Sequence, residues 1–179
     1  EGYKAAIRNF LSADAPDIAF WYAGNRMAPF VEAGLFAPID DVWADQGLYS
    51  LMASSAPGMT MDGKKWGIPY TYYNWGVYYR QDIFEDLGIA VPTNWDEFIA
   101  AGETLKANGI TPITIGSKYL WTAGGVFDYL NLRTNGYDFH MALTSGDIAW
   151  TDDRVRATMA NYQQLIDGGF FLENHRSEE

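Results

Sequence analysis

Three short stretches of this chain carry the side chains that could do chemistry on a small molecule. The first is Phe20-Trp21-Tyr22-Ala23-Gly24-Asn25-Arg26. Trp21 and Tyr22 offer flat apolar faces on which the C–H face of a sugar ring can lie. Asn25 and Arg26 offer the directional hydrogen bonds that hydroxyls need. The plain packing alternative is that Trp21 caps a core and Arg26 is solvated, and composition alone does not separate the two. The second stretch is Tyr70-Thr71-Tyr72-Tyr73-Asn74-Trp75-Gly76-Val77-Tyr78-Tyr79. Strand alternation would put Tyr73, Trp75, Val77 and Tyr79 on one face and Tyr72, Asn74, Gly76 and Tyr78 on the other. Aromatics on both faces exceed what a half-buried strand requires. Tyr72, Tyr73, Asn74 and Trp75 are therefore read as pocket-lining, and Val77 to Tyr79 as buried strand. The third stretch is Ser117-Lys118-Tyr119-Leu120-Trp121-Thr122. Here Tyr119 and Trp121 stand at a helix entrance. Trp121 either faces a cleft or acts as a hydrophobic staple on Gly125 and Val126.

Other chemistries lack their parts. Glycoside hydrolysis needs two opposed carboxylates, and Asp62, Asp82, Asp96 and Asp128 show no local arrangement that marks such a pair. Asp82 and Asp96 sit where helix starts favour acids. Only Asp128 is retained, as a weak candidate hydroxyl acceptor. His140 and His175 are too few and too far apart in sequence to suggest a metal site. Phosphate loop, dinucleotide fingerprint and nucleophile elbow are missing. The expectation is no catalytic residue, no metal and no cofactor.

Composition narrows the class further. The 179 residues contain 23 acidic and 12 basic side chains, a formal net charge of −11. Such a chain repels phosphate backbones and anionic membrane surfaces, so no nucleic-acid partner is expected. There is no cysteine, which excludes disulfides and thiol catalysis. Aromatic residues make up 16%, with seven Trp and twelve Tyr, a surplus that suits stacking surfaces.

The elements that would position these residues alternate between helical and extended patterns. Tyr3, Ile7, Phe10 and Leu11 predict a helix over residues 3–12. Ile18 to Trp21 reads as a short buried strand, 27–33 as a helix stopped at Gly34, and 35–39 as extended, with a helical turn opening at Asp40-Asp41. Asp62-Gly63 predicts a tight turn with arms at 59–61 and 66–69. Residues 70–80 read as a long strand and 81–87 as a helix ended by Gly88. A capping box at 93–96 starts a helix that runs to Ala107. Residues 110–115 read as a buried strand and 121–133 as a helix. Asp152-Asp153 opens a last helix ending at Asp167. The pattern is α/β.

Taken with their order, these residues resemble the family 1 extracellular solute-binding proteins of ABC importers, the maltose-binding-protein-like sugar receptors. The resemblance rests on three blocks. The first joins Asp14-Ala-Pro-Asp-Ile18, Trp21 to Arg26, and Glu32 to Asp40. The second joins Asp62-Gly-Lys-Lys-Trp-Gly-Ile-Pro69, Tyr78-Tyr-Arg-Gln-Asp82, and Pro92 to Phe98. The third joins Trp150-Thr-Asp152 and Leu165 to Phe171. The resemblance implies a periplasmic-binding-protein-like two-lobed α/β fold of type II. Residues 1–72 would be part of the first lobe, and 73–179 the hinge crossing and part of the second. It also implies an internal fragment, with both lobes incomplete.

By the same resemblance, a mono- or oligosaccharide would be captured in an interlobe cleft. First-lobe contacts would map onto Trp21, Asn25 and Arg26, hinge contacts onto Tyr72 to Trp75, and a second-lobe contact onto Trp121. The hinge position is often acidic in relatives and is Tyr73 here, which moves weight from carboxylate clamping to stacking and to Asn74. The implied partners are the ABC permease subunits. A monomer is expected, placed in the periplasm or outside the cell, free or lipid-anchored. The alternatives are a receptor for a non-sugar solute such as a polyol and, behind it, a carbohydrate-active enzyme. Trp21→Ala is expected to weaken binding and leave the fold intact.

Overall fold

Helix-start and helix-stop residues set most of the architecture. The computed structural model describes residues 2–72 and 74–177. Tyr73, one of the expected pocket residues, lies outside the described residues. The chain divides into two compact units, Glu1–Asn74 and Trp75–Glu179.

In the first unit, α1 (Gly2–Ala13) buries Ile7 and Leu11, one turn apart, against Phe30 of α2 (Ala28–Glu32). Ala19, Trp21, Leu35 and Phe36 pack around that cluster. Gly34, at φ 67°, ends α2 and turns the chain so that the Leu35 N–H donates to the Phe30 carbonyl at 2.9 Å. Then come α3 (Asp40–Asp45) and α4 (Leu48–Leu51). Trp43 of α3 is wholly buried, and its indole N–H donates to the Gly67 carbonyl at 3.0 Å. The hairpin forms as β1 (Thr60–Met61) and β2 (Lys64–Lys65), with Met61 opposite Lys64. Asp62 and Gly63 both have positive φ, 51° and 72°, as a two-residue type I′ connection demands. The second arm therefore begins immediately after the turn, not at residue 66.

In the second unit, α5 (Gln81–Asp86) is closed by Gly88 at φ 64°. It is followed by α6 (Trp95–Ala107), α7 (Trp121–Asn135), α8 (Tyr137–Ser145) and α9 (Asp153–Asp167). Phe139 and Leu143 of α8 and Val155 of α9 form a buried cluster, with Phe127 of α7 and Ile148 against it. Beside it, Asn131 and Thr158 are fully buried polar residues. They are satisfied mutually: Asn135 donates to the Asn131 side-chain oxygen at 2.8 Å and to the Thr158 hydroxyl at 3.0 Å. This ties α7 to α9, as buried polar groups require partners. Phe170 enters a slot that exists because residues 102 and 168 are glycines; a Cβ at either would overlap its ring.

Three expected strands do not form ladders. Residues 18–21 form no strand, and Ile18 and Phe20 are exposed. Their neighbour is a side chain: the Tyr3 hydroxyl donates to the Phe20 carbonyl at 2.9 Å and accepts its N–H at 3.1 Å. Residues 110–115 make one parallel bridge, Ile113 to Phe171, and are only half-buried. Between 70 and 80, no strand is assigned among the described residues. Val77, Tyr78 and Tyr79, expected to be buried, are 60%, 79% and 45% exposed. Strand propensity makes a segment extended, but a ladder needs a second extended segment alongside. Among the described residues, only the hairpin supplies one.

Candidate functional site

Of the first-unit candidates, Trp21 is the most firmly fixed. Its ring lies 5.0 Å from that of Phe30, and its indole N–H donates to the Arg26 carbonyl at 2.8 Å. That bond closes the loop 21–26 upon itself. Gly24, at φ 61°, starts the turn Gly24–Arg26 within it, and the Met27 N–H donates to the Gly24 carbonyl at 2.8 Å. Trp21 is thus half-buried, with its inner side in the core. Tyr22 is exposed, and the Arg26 guanidinium lies 3.8 Å from its ring centre. Arg26 is exposed and stacked on the Tyr22 ring. One face of Tyr22 is taken, and the pair offers guanidinium N–H donors backed by an aromatic plate. Asn25 is exposed in the same turn.

The second unit brings together residues from two of the three stretches. Trp75 and Trp121 lie 6.5 Å apart, centre to centre, with ring planes 58° from parallel. Both are more than half exposed, as is Tyr119. The loop before α7 is fastened from below. Ser117 is buried, its N–H donates to the His175 carbonyl at 2.7 Å, and its hydroxyl lies 2.7 Å from His175 Nδ1. The Thr122 hydroxyl donates to the Gly116 carbonyl. Leu120, between the two aromatics, adopts φ 64°, ψ −17°. A left-handed leucine costs about 1–2 kcal/mol, a strain that a packed surround must hold.

The ring nearest Gly125 belongs to Trp75. Sequence reasoning missed that pairing because no local spacing links residues 75 and 125. The double glycine Gly124-Gly125 inside a helix was the available signal, since glycine is poorly suited to helix interiors. Tyr72 is 90% exposed, and Asn74 is exposed as well.

The carboxylates have other occupations. Asp82 pairs with Arg80, Nη2 to Oδ2 at 2.5 Å, and this hydrogen bond holds its carboxyl below the usual range. Asp96 lies in the first turn of α6 and Asp62 in the hairpin turn; Asp128 is exposed on α7. Among the described residues, no group of three or more His, Asp or Glu could hold a metal ion. No described helix is long and apolar enough to cross a membrane. Shallow surface grooves run along α9, lined by residues such as Trp150, Met159 and Gln163, and contain none of the expected ligand residues.

A family described as bacterial extracellular solute-binding protein matches residues 1–175. The multiple sugar-binding protein of Streptococcus mutans is 31% identical over 166 residues, covering 89% of this chain and 39% of that protein. Among solved structures, the bacterial solute receptor AcbH is described as having an exclusive substrate preference for β-D-galactopyranose. It aligns over 99% of this chain and 45% of its own, at 31% identity and a TM-score of 0.81. A chitin oligosaccharide binding protein aligns over 96% of this chain and 44% of its own, at 27% identity and a TM-score of 0.82. The chain therefore has the expected fold class, that of two-lobed, type II α/β receptors, although its described residues are mostly helical. It spans less than half the length of the relatives and structures it matches.

Proposed function

The chain belongs to the bacterial extracellular solute-binding protein family, and on that basis we propose that the protein is the extracytoplasmic substrate-binding component of an ABC importer, capturing a mono- or oligosaccharide. It would deliver the sugar to the permease subunits as a monomer, free or lipid-anchored, and would make or break no bond. The observation that carries this reading is the exposed pair of Trp75 and Trp121 in the second unit, with Tyr119 exposed on the loop before α7. Trp75 and Trp121 supply stacking faces at an angle, which suits a puckered ring better than a flat one. In the first unit, Arg26 stacked on Tyr22 supplies oriented donors to hydroxyl oxygens. Asn25, Tyr72, Tyr73 and Asn74 complete the set, and Trp21 holds the loop that carries Asn25 and Arg26.

The sugar-binding relative and the two sugar-receptor structures support the substrate class. Isothermal titration of the full-length protein against mono- to tetrasaccharides, with polyols alongside, tests it. Saturable binding of a sugar is the expected result. Binding of a polyol and no sugar would transfer the assignment to a non-sugar receptor, and binding of none would remove it.

A further inference from the structure

The second unit contains a helix that begins Trp121-Thr-Ala-Gly124-Gly125. Each helical glycine costs about 1 kcal/mol relative to alanine, so two in succession call for a reason. Neither has the positive φ that only glycine tolerates well. At Gly124, an added Cβ would meet nothing within 4 Å. At Gly125, which is buried, it would overlap Cζ2 of Trp75, stand 3.1 Å from Cη2 and 3.5 Å from Cε2. The two neighbours in sequence are therefore unlike in space. One faces open surroundings, and the other is the floor on which the Trp75 indole rests.

We propose that Gly125 is a positioning residue for ligand binding: its missing side chain forms the seat that sets the Trp75 indole beside Trp121. This rests on the reading of Trp75 and Trp121 as sugar contacts. Gly125 lies beneath the ring and acts only through it. A methyl group there must lift or rotate the indole, because the helix backbone beneath is fixed by its own hydrogen bonds. The 6.5 Å, 58° relation between the two rings is then lost, and with it the shape offered to a sugar. Interiors do not absorb an added methyl without displacement.

A double-mutant cycle in the full-length protein tests this, with two readouts: affinity for the sugar found by titration, and the near-ultraviolet circular dichroism of the coupled Trp75–Trp121 pair. Gly125→Ala is expected to weaken binding about tenfold and to alter the tryptophan signal. Gly124→Ala is expected to change neither. In a Trp75→Ala background, where the clash with the indole is removed, Gly125→Ala is expected to cost no further affinity. Equal loss in both backgrounds would overturn the proposal, as would a Gly125→Ala protein with wild-type affinity and tryptophan signal. If no sugar binds, the spectroscopic arm still decides the seating of Trp75, so failure of the sugar reading and failure of the seat are distinct results.

Discussion

Trp21 shows how a single side chain serves two ends. Its outer edge stands by the exposed Tyr22–Arg26 pair, while its ring packs on Ile7, Leu11 and Phe30. The expectation that Trp21→Ala leaves the fold untouched does not fit that packing. Removing a half-buried indole is predicted to cost about 2 kcal/mol of stability, in addition to any loss of binding. Trp21→Phe keeps most of the packing and removes the indole donor to the Arg26 carbonyl, for a predicted loss of about 1 kcal/mol. Denaturant unfolding of the two variants reads both values. The residue types were legible in the sequence, since a dense run of Trp, Tyr, Asn and Arg has few uses. The stacking of Arg26 on Tyr22 and the seating of Trp75 on Gly125 were not, because both depend on where chain segments meet.

Elements divide by how local their causes are. Caps and stops act within one turn, and many were legible, although the capping box expected at residues 93–96 forms one residue later, between Asn94 and Glu97, and α8 was not read. Asn94 accepts the Glu97 N–H at 3.0 Å, while the Glu97 carboxylate accepts the Thr93 N–H at 2.7 Å and hydroxyl at 2.8 Å. Asn94→Ala is predicted to cost about 1 kcal/mol, measured as a lowered unfolding midpoint. Asp152 caps α9, accepting the Arg154 N–H at 2.9 Å and its guanidinium at 3.0 Å. The side-chain bond from Arg154 is the largest cause holding the Asp152 carboxyl down to about 2, against an ordinary value of 3.8. A depressed carboxyl stabilises the fold fully above its unfolded value and less as pH falls through its folded one. The stability gap between wild type and Asp152→Asn is therefore predicted to hold steady above about pH 5 and to shrink towards pH 2. A gap that widens with acid would contradict the cap. Strands were misread for the opposite reason. Residues 70–80 have every local mark of a strand, yet a ladder depends on a partner distant in sequence. Residues 18–21 were read as a buried strand, yet at Phe20 the backbone groups are taken by a side chain, the Tyr3 hydroxyl.

At the scale of the whole molecule, the acidic charge and the absence of cysteine excluded classes, and family membership then selected one. Each unit presents its own aromatic group, Tyr22 with Arg26 in the first and Trp75, Tyr119 and Trp121 in the second. We propose that Arg26 of the first unit and Trp75 of the second are each sugar contacts. The dissociation constant of the full-length protein for its sugar, measured by calorimetry for wild type, Arg26→Ala and Trp75→Ala, tests that claim most directly. Each substitution is predicted to weaken binding about tenfold or more, with a cooperative unfolding transition retained. Wild-type affinity in either variant would contradict the claim.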